Sequence, residues 1–180
     1  MFRSARSHDI DTIHELLVAE AAQGRFDPRL AQEPYRSGLR KNLNTIRKRE
    51  RRLDEAVSAQ LLIWEQEGDV AGCLINSAIL PQAGNEIWMV VVLPEFRGHG
   101  IGGKLVNEVL ARLHPRVDLF VRCSPQAQLS CEMFLRRGFL PLDTTDKGMR
   151  VLKLPKMGTG LVGQAELHQQ LASFVKIQIK

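Results

Sequence analysis

An unbroken apolar segment that runs directly into a glycine-rich turn constrains the fold of this chain more than any other feature. Residues Ile87–Leu93 read IWMVVVL, a run typical of a central strand that is buried on both faces. The turn that follows contains Arg97-Gly98-His99-Gly100-Ile101-Gly102, and a helix is predicted over Gly103–Leu113. Glycines let backbone N–H groups converge, and a helix N-terminus adds the positive end of its dipole. The segment therefore predicts an anion site suited to a pyrophosphate.

Two other phosphate-binding folds that use glycine-rich loops are excluded by the sequence. The chain has no G-x-x-x-x-G-K-[ST] segment, so it is not a P-loop nucleotide hydrolase. A dinucleotide-binding fingerprint would follow the first strand, with an acidic residue about 20 residues later. Here the glycines follow the fourth predicted strand.

The remaining hydrophobic patterns predict an α/β sandwich with a mixed sheet. Asp9 is predicted to cap the first helix and Gly24 to stop it, and Glu67-Gly68-Asp69 to form a hairpin turn. The predicted helices are Ile10–Gln23, Pro34 to about Ala56, Gly103–Leu113 and Pro125–Arg137. The predicted strands are Phe2–Arg6, Gln60–Gln66, Val70–Ile79, Ile87–Leu93, Asp118–Cys123, Leu140–Leu142 and Met149–Leu154.

Composition narrows the class of protein further. The 180 residues are 44% hydrophobic and 25% charged, as in one soluble globular domain. No run of eighteen apolar residues occurs, and the N-terminus lacks an apolar signal core. The three cysteines are sparse and show no metal-ligand spacing. We therefore expect a cytoplasmic protein with no membrane span and no metal site.

The positive charge is concentrated in one segment. The net charge is +5, and eight Lys and Arg residues lie between Arg36 and Arg52, with Glu50 as the one acid among them. On the predicted second helix, Leu39, Leu43, Ile46 and Leu53 form the apolar stripe, and Arg36, Arg40, Arg47 and Arg51 form a band beside it. We expect this band to lie near a cleft, and a local patch of this kind makes nucleic acid an unlikely partner.

The sequence Arg97–Gly102 resembles the R/Q-x-x-G-x-G/A motif of the GNAT superfamily of acetyl-CoA-dependent N-acyltransferases. The predicted element order is also similar from about Phe2 to Leu154, and Gly138-Phe139 precedes the last hairpin as in that family. The resemblance implies a mixed, mostly antiparallel sheet of about seven strands with about four helices and splayed central strands. It implies a catalytic domain over residues 1–157, followed by an extension over 158–180.

The resemblance also implies which residues bind the cosubstrate acetyl-CoA. The backbone at Val92 is expected to hold the acyl-pantetheine arm and the amides from Arg97 to Gly102 the pyrophosphate. The full expected cofactor set is Val92, Leu93, Pro94, Arg97, Gly98, His99, Gly100, Ile101, Gly102, Gly103 and Phe134. Glu86, six residues before Val92, is the candidate base, the alternative being a solvated carboxylate at a strand end.

The general acid is where the sequence departs from the family. Many relatives carry a tyrosine at the position of Phe134, and an asparagine near Ala127 is also missing. Ser130 and Cys131 lie one helical turn from Phe134 and could protonate the leaving thiolate, as could water, or both could be packing residues. The resemblance places Tyr35 in the region that lines the acceptor cleft in relatives, and Arg36 and Arg40 belong to the basic band expected near a cleft, so we expect these three residues to bind the acceptor.

These observations predict acetyl transfer from acetyl-CoA directly to a primary amine of a small molecule or a protein. Two alternatives remain open: an acyltransferase acting on aminoacyl-tRNA, and an acetyl-CoA-binding regulator without catalysis. In the extension, Gln164–Ser173 is predicted as a short helix. Phe174–Lys180 alternates apolar and polar residues, which predicts an added strand that pairs with a sheet edge and can form a homodimer.

Overall fold

Seven strands form one mixed sheet in the computed structural model, which describes residues 1–53, 57–79 and 84–157. The strands are β1 (Phe2–Ser4), β2 (Ala59–Gln66), β3 (Asp69–Ala78), β4 (Asn85–Val92), β5 (Leu119–Cys123), β6 (Leu140–Thr144) and β7 (Arg150–Leu154). The α-helices are α1 (Asp9–Ala22), α2 (Tyr35–Arg49), α3 (Ile101–Leu113) and α4 (Gln128–Leu135), and two short 3₁₀ helices cover Pro28–Ala31 and Pro94–Phe96. This architecture confirms the expected GNAT-type fold.

The sheet opens between its two central strands. The strand order is β1-β2-β3-β4-β5-β7-β6, and every neighbouring pair is antiparallel except β4 and β5. These two strands are parallel and pair only over three positions, Asn85–Ile87 with Leu119–Val121. Beyond these residues the strands diverge, so the sheet has a V-shaped gap that no ladder hydrogen bonds fill.

A β-bulge in β4 sets which side chains face each side of the sheet. Ile75 pairs with Met89 and Asn76 with Ile87, so Trp88 is the extra residue. The bulge puts Ile87 on the same face as Val90, although simple alternation would put it with Met89. Both faces of β4 are covered, which explains why the whole run is apolar.

Two helical layers bury the two faces. Helices α1 and α2 pack on one face through Ile13, Leu17, Leu43 and Ile46, each at most 1% exposed. Helices α3 and α4 pack on the other face through Leu105, Val109 and Phe134. The V-shaped gap therefore connects two different helical layers.

The second helix is shorter than the sequence predicts. It ends at Arg49 because Glu50 adopts a left-handed conformation (φ 50°), and the chain then reverses to form a bridge between Arg51 and Ser58. Leu53 is 54% exposed and does not belong to the apolar stripe. Its N–H donates to Asn42 Oδ1 (2.8 Å), which fixes the reversal. The prediction of one helix to about Ala56, carrying Arg51, was wrong.

The starts of α1 and α4 also differ from the prediction. Asp9 does not cap α1: its carboxylate accepts from the Arg6 N–H (2.6 Å) and from Arg3 (2.7 Å), and so ties the strand β1 to the helix. Helix α4 begins at Gln128, because the segment from Pro125 forms a turn in which the Ala127 N–H donates to Ser124 O (3.0 Å).

The extension is not part of the described structure. The predicted helix Gln164–Ser173 and the predicted strand Phe174–Lys180 both fall outside the described residues. The division into residues 1–157 and 158–180 and the proposed homodimer therefore stay predictions.

Candidate active site

The gap between β4 and β5 holds a cleft of about 750 Å³. Its walls come from both diverging strands, from α4 and from the segment after α1. Val90, Val92, Met133 and Phe134 make much of the wall apolar. A largely apolar cleft between two diverging strands suits a thin, flexible acyl-pantetheine arm.

The glycine turn lies on the α3 face of this gap. Gly98 and Gly100 have φ angles of 80° and 73°, and a Cβ at either position would meet no atom within 4 Å. Their outer surface is therefore open to a ligand. The first intrahelical bond of α3 is donated by the Lys104 N–H to Gly100 O (3.0 Å). The N–H groups of Ile101, Gly102 and Gly103 precede it and are available to an anion.

Three of the expected cofactor residues have no free backbone donor. The Leu93 N–H donates to Ala71 O (3.0 Å), the Arg97 N–H donates to Pro94 O (3.2 Å), and Pro94 has none. The amides that are available to an anion therefore begin at Gly98. The His99 ring turns back onto Arg97 O (Nδ1 2.9 Å), and the buried Ile101 side chain anchors the turn to the sheet near Gly72.

The backbone of Val92 faces the gap. In a strand the N–H groups of successive residues point to opposite sides. Because the Leu93 N–H is bonded to β3, the Val92 N–H points away from β3, toward the space that β5 has left. Val92 is thus placed to pair with an extended ligand as an added strand would.

A bridge of hydrogen bonds crosses the cleft on the opposite face, where α1 lies. Arg97 Nε donates to Val92 O (3.1 Å) and Arg97 Nη2 to Glu20 Oε1 (2.8 Å). Arg25 Nη1 donates to Glu20 Oε2 (2.7 Å), and Ser124 Oγ donates to Arg25 O (3.1 Å). The bridge joins the end of β4 to the residue that follows β5. The Arg97 side chain belongs to this bridge.

Glu20 and Arg25 are the site residues that sequence reasoning missed. Both line the cleft, and Glu20 is 6% exposed. One signal was present in the sequence: Glu20 lies on the apolar face of α1, between Leu17 and Ala21. A charge on a buried face requires a partner.

The candidate base, Glu86, is buried at the closed end of the gap rather than solvated. It is 2% exposed and accepts two bonds from Arg122, to Oε1 from Nε (2.7 Å) and to Oε2 from Nη2 (3.1 Å). The cleft is lined by Arg122 and not by Glu86. Among the described residues, Arg122 therefore lies between Glu86 and the cleft.

Helix α4 separates the two acid candidates. Ser130 lines the cleft, whereas Cys131 is 2% exposed, outside the lining, and its Sγ contacts Arg150 Nη1 (3.7 Å). Phe134 lines the cleft and stacks edge-to-face on Phe139 (5.2 Å between ring centroids).

Cys123 lines the cleft beside Cys131. Burial, with a smaller contribution from Cys131, raises the pKa of the Cys123 thiol to about 12. It is a neutral thiol at pH 7 and a poor nucleophile, which favours direct transfer over an acyl-cysteine intermediate.

The residues expected to bind the acceptor lie outside the cleft lining. Tyr35 is 48% exposed with Arg29 over its ring, Arg36 is exposed, and Arg40 pairs with Asp11.

Among the described residues, no cluster of His, Cys, Asp and Glu could hold a metal ion. No helix of the described part is long and apolar enough to cross a membrane.

Solved structures with the same fold include three N-acetyltransferases. One from Staphylococcus aureus Mu50 is 17% identical, with a TM-score of 0.66 over 86% of this chain and 100% of that one. PaiA N-acetyltransferase from Thermoplasma acidophilum, solved with coenzyme A, is 14% identical, with a TM-score of 0.66 over 86% and 98%. Spermidine N-acetyltransferase from Vibrio cholerae, solved with coenzyme A and spermine, is 16% identical, with a TM-score of 0.61 over 87% and 95%.

A comparison with curated protein sequences finds no significant match. The profile of the acetyltransferase (GNAT) family, however, matches residues 28–139. That range covers more than half of the chain and includes the bulged strand β4, the glycine turn and most of the cleft wall. The chain belongs to the GNAT acetyltransferase family.

Proposed function

We propose that the protein transfers the acetyl group of acetyl-CoA to a primary amine of a small molecule or a protein. The observation that carries this proposal is the juxtaposition of two backbone sites on the same gap. Val92 presents an N–H into the gap, and the glycine turn presents the first amides of α3 at one of its mouths. This arrangement of the two backbone sites fits a thioester held in the gap and a pyrophosphate held at the turn.

The residues present fit coenzyme A. Gly98, Gly100 and the N–H groups of Ile101–Gly103 would hold the pyrophosphate, and the Val92 N–H would hold the pantetheine arm. Met133 and Phe134 would pack against the arm. When bound, the thioester supplies an acyl carbon that is already activated, so the protein needs no covalent intermediate.

The protein's task is then to position the amine and to remove its proton. We assign proton removal to Glu86, through a water that replaces the longer of its two bonds to Arg122 (3.1 Å). Water in the cleft, or Ser130, protonates the thiolate that leaves.

An acceptor screen that monitors free thiol release from acetyl-CoA tests the proposal. We expect turnover with at least one class of primary amine and formation of the acetylamide by mass spectrometry. Tight binding of acetyl-CoA without transfer to any amine, peptide or aminoacyl-tRNA would support the regulator instead. Turnover restricted to aminoacyl-tRNA, with a steep salt dependence, would support the second alternative.

A further inference from the structure

The cleft has two mouths that differ in their chemistry. The glycine turn and α4 border the mouth on the α3 face. Glu20, Arg25, Phe26 and Trp88 border the mouth on the α1 face. If the pyrophosphate occupies the first mouth, as the proposed function has it, the amine must approach the thioester through the second.

The cleft carries an excess of positive charge. Glu20 is the sole carboxylate among the described residues that line the cleft, whereas Arg25, Arg97 and Arg122 all line it. Glu20 forms ion pairs with both Arg25 and Arg97, and Glu86 forms an ion pair with Arg122. Three guanidinium groups therefore face two carboxylates.

Of these three arginines, Arg25 is the one best placed to bind an anionic group of a ligand. Its side chain is 38% exposed, and Nη1 is held by Glu20 at 2.7 Å. In the part of the chain that the structure describes, its other guanidinium N–H groups have no protein partner. The Arg25 carbonyl accepts a hydrogen bond from Ser124 Oγ, which holds the backbone from which the side chain extends. A preorganised guanidinium with unused donors is suited to a carboxylate or phosphate.

From this geometry we infer that the acceptor carries an anionic group close to its amine, and that Arg25 binds that group. An amino acid has this chemistry, and Phe26 and Trp88 at the same mouth favour an apolar side chain. The inference rests on the proposed function, because it assigns a substrate class to the same cleft. It places recognition of the acceptor in the segment after α1, whereas the sequence predicted it at Arg36 and Arg40 on α2.

Matched amines test the inference. The panel compares phenylalanine, leucine and methionine with their amides and with the corresponding decarboxylated amines, and phosphoethanolamine with ethanolamine. For the parent protein we expect kcat/KM to favour the anionic member of a pair at least about tenfold, in line with a charge-assisted contact. The carboxylate and phosphate arms show which anion is used.

Three variants identify the residue. Arg25→Gln is expected to reduce the preference for the anionic member at least about tenfold, with little change in the KM for acetyl-CoA, and Arg25→Lys to retain part of it. Arg29→Gln is the matched control: Arg29 lies in the same segment but pairs with Asp27 outside the cleft lining, so the preference should not change.

The outcomes separate this inference from the function on which it rests. Turnover of amines without any preference for the anionic members, or a preference that survives in Arg25→Gln, overturns the inference alone. Absence of transfer to any amine overturns the proposed function and the inference with it.

Discussion

Glu20 and Glu86 are two buried carboxylates of the same site, and each is held by arginine. Glu20 joins Arg97 to Arg25 at the α1 mouth, and Glu86 is held by Arg122 at the closed end of the gap. Because their surroundings differ, we expect the two carboxylates to have different roles. Glu20 positions two guanidinium groups, whereas Glu86 lies near the divergence of β4 and β5 and is proposed to take the proton.

The pH dependence of matched Glu→Gln variants separates the two roles. We expect Glu86→Gln to lower kcat about 100-fold near pH 7, with partial recovery at high pH, where the amine is neutral without help. Glu20→Gln should lower kcat/KM for the acceptor by a factor that stays the same across pH, because it loosens Arg25 and Arg97. Steady-state kinetics from pH 6.5 to 9.5 measure both profiles. The reverse pattern would make Glu20 the base.

Gly100 tests the cofactor site through a backbone conformation. With φ at 73° and open space around its Cβ position, Gly100→Val costs about 1–2 kcal/mol of strain and covers the amides of the turn. We expect acetyl-CoA affinity to fall at least about tenfold by calorimetry. Gly68→Val is the control, since Gly68 has φ 94° and open space in the β2–β3 hairpin, away from the cleft. Equal affinity in the Gly100 variant and the parent would refute the assignment.

At the scale of elements, α4 presents Ser130 and Phe134 to the cleft and turns Cys131 away. A thiol has a pKa of about 8.5, so coenzyme A is a tolerable leaving group without a side-chain acid. We expect Ser130→Ala and Cys131→Ala each to cost less than tenfold in kcat, about 1.4 kcal/mol, and Phe134→Tyr to give at most a small gain. A loss of a hundredfold or more in either alanine variant that still folds and binds acetyl-CoA would establish an essential acid.

The elements that the sequence predicts well are those specified locally. The strand β4, the glycine turn and α3 are adjacent in the chain, and their apolar run and glycines make the signal. The end of α2 could not be predicted in the same way. Its last residues are strong helix formers, and the stop comes from bonds to the chain that returns after the helix, such as Ala59 N–H to Glu50 O (2.8 Å).

At the scale of the whole molecule, one side of the candidate site is specified by adjacent residues and the other by tertiary contacts. The cofactor side is a continuous segment and could be found by its spacing. The α1 mouth is assembled by tertiary contacts, such as Arg97 with Glu20 across 77 positions. Hydrophobic periodicity shows that Glu20 is on a buried face, but not which partner it meets. The proposed acceptor recognition is therefore the part of the site that could be found only from the fold.

Alkaline stability tests how completely the core between the sheet and α1–α2 is closed. Cys73 in β3 is 0% exposed, and burial raises the pKa of its thiol from 9.0 to about 12. Between these values the folded protein keeps a proton that the unfolded chain has lost. This group therefore makes the free energy of unfolding fall as pH rises, by about 1.4 kcal/mol per pH unit.

Cys73→Ala removes this dependence, although it costs about 1–2 kcal/mol near neutral pH through the lost packing. We expect the stability gap between parent and variant, measured by urea unfolding, to be constant below pH 9 and to narrow above it. Ile75→Val, at a neighbouring position of β3 that is 0% exposed and carries no titratable group, should show the same gap at every pH. If the Cys73→Ala gap stays constant to pH 10.5, the thiol is not held protonated by the core, and water reaches this layer of the fold.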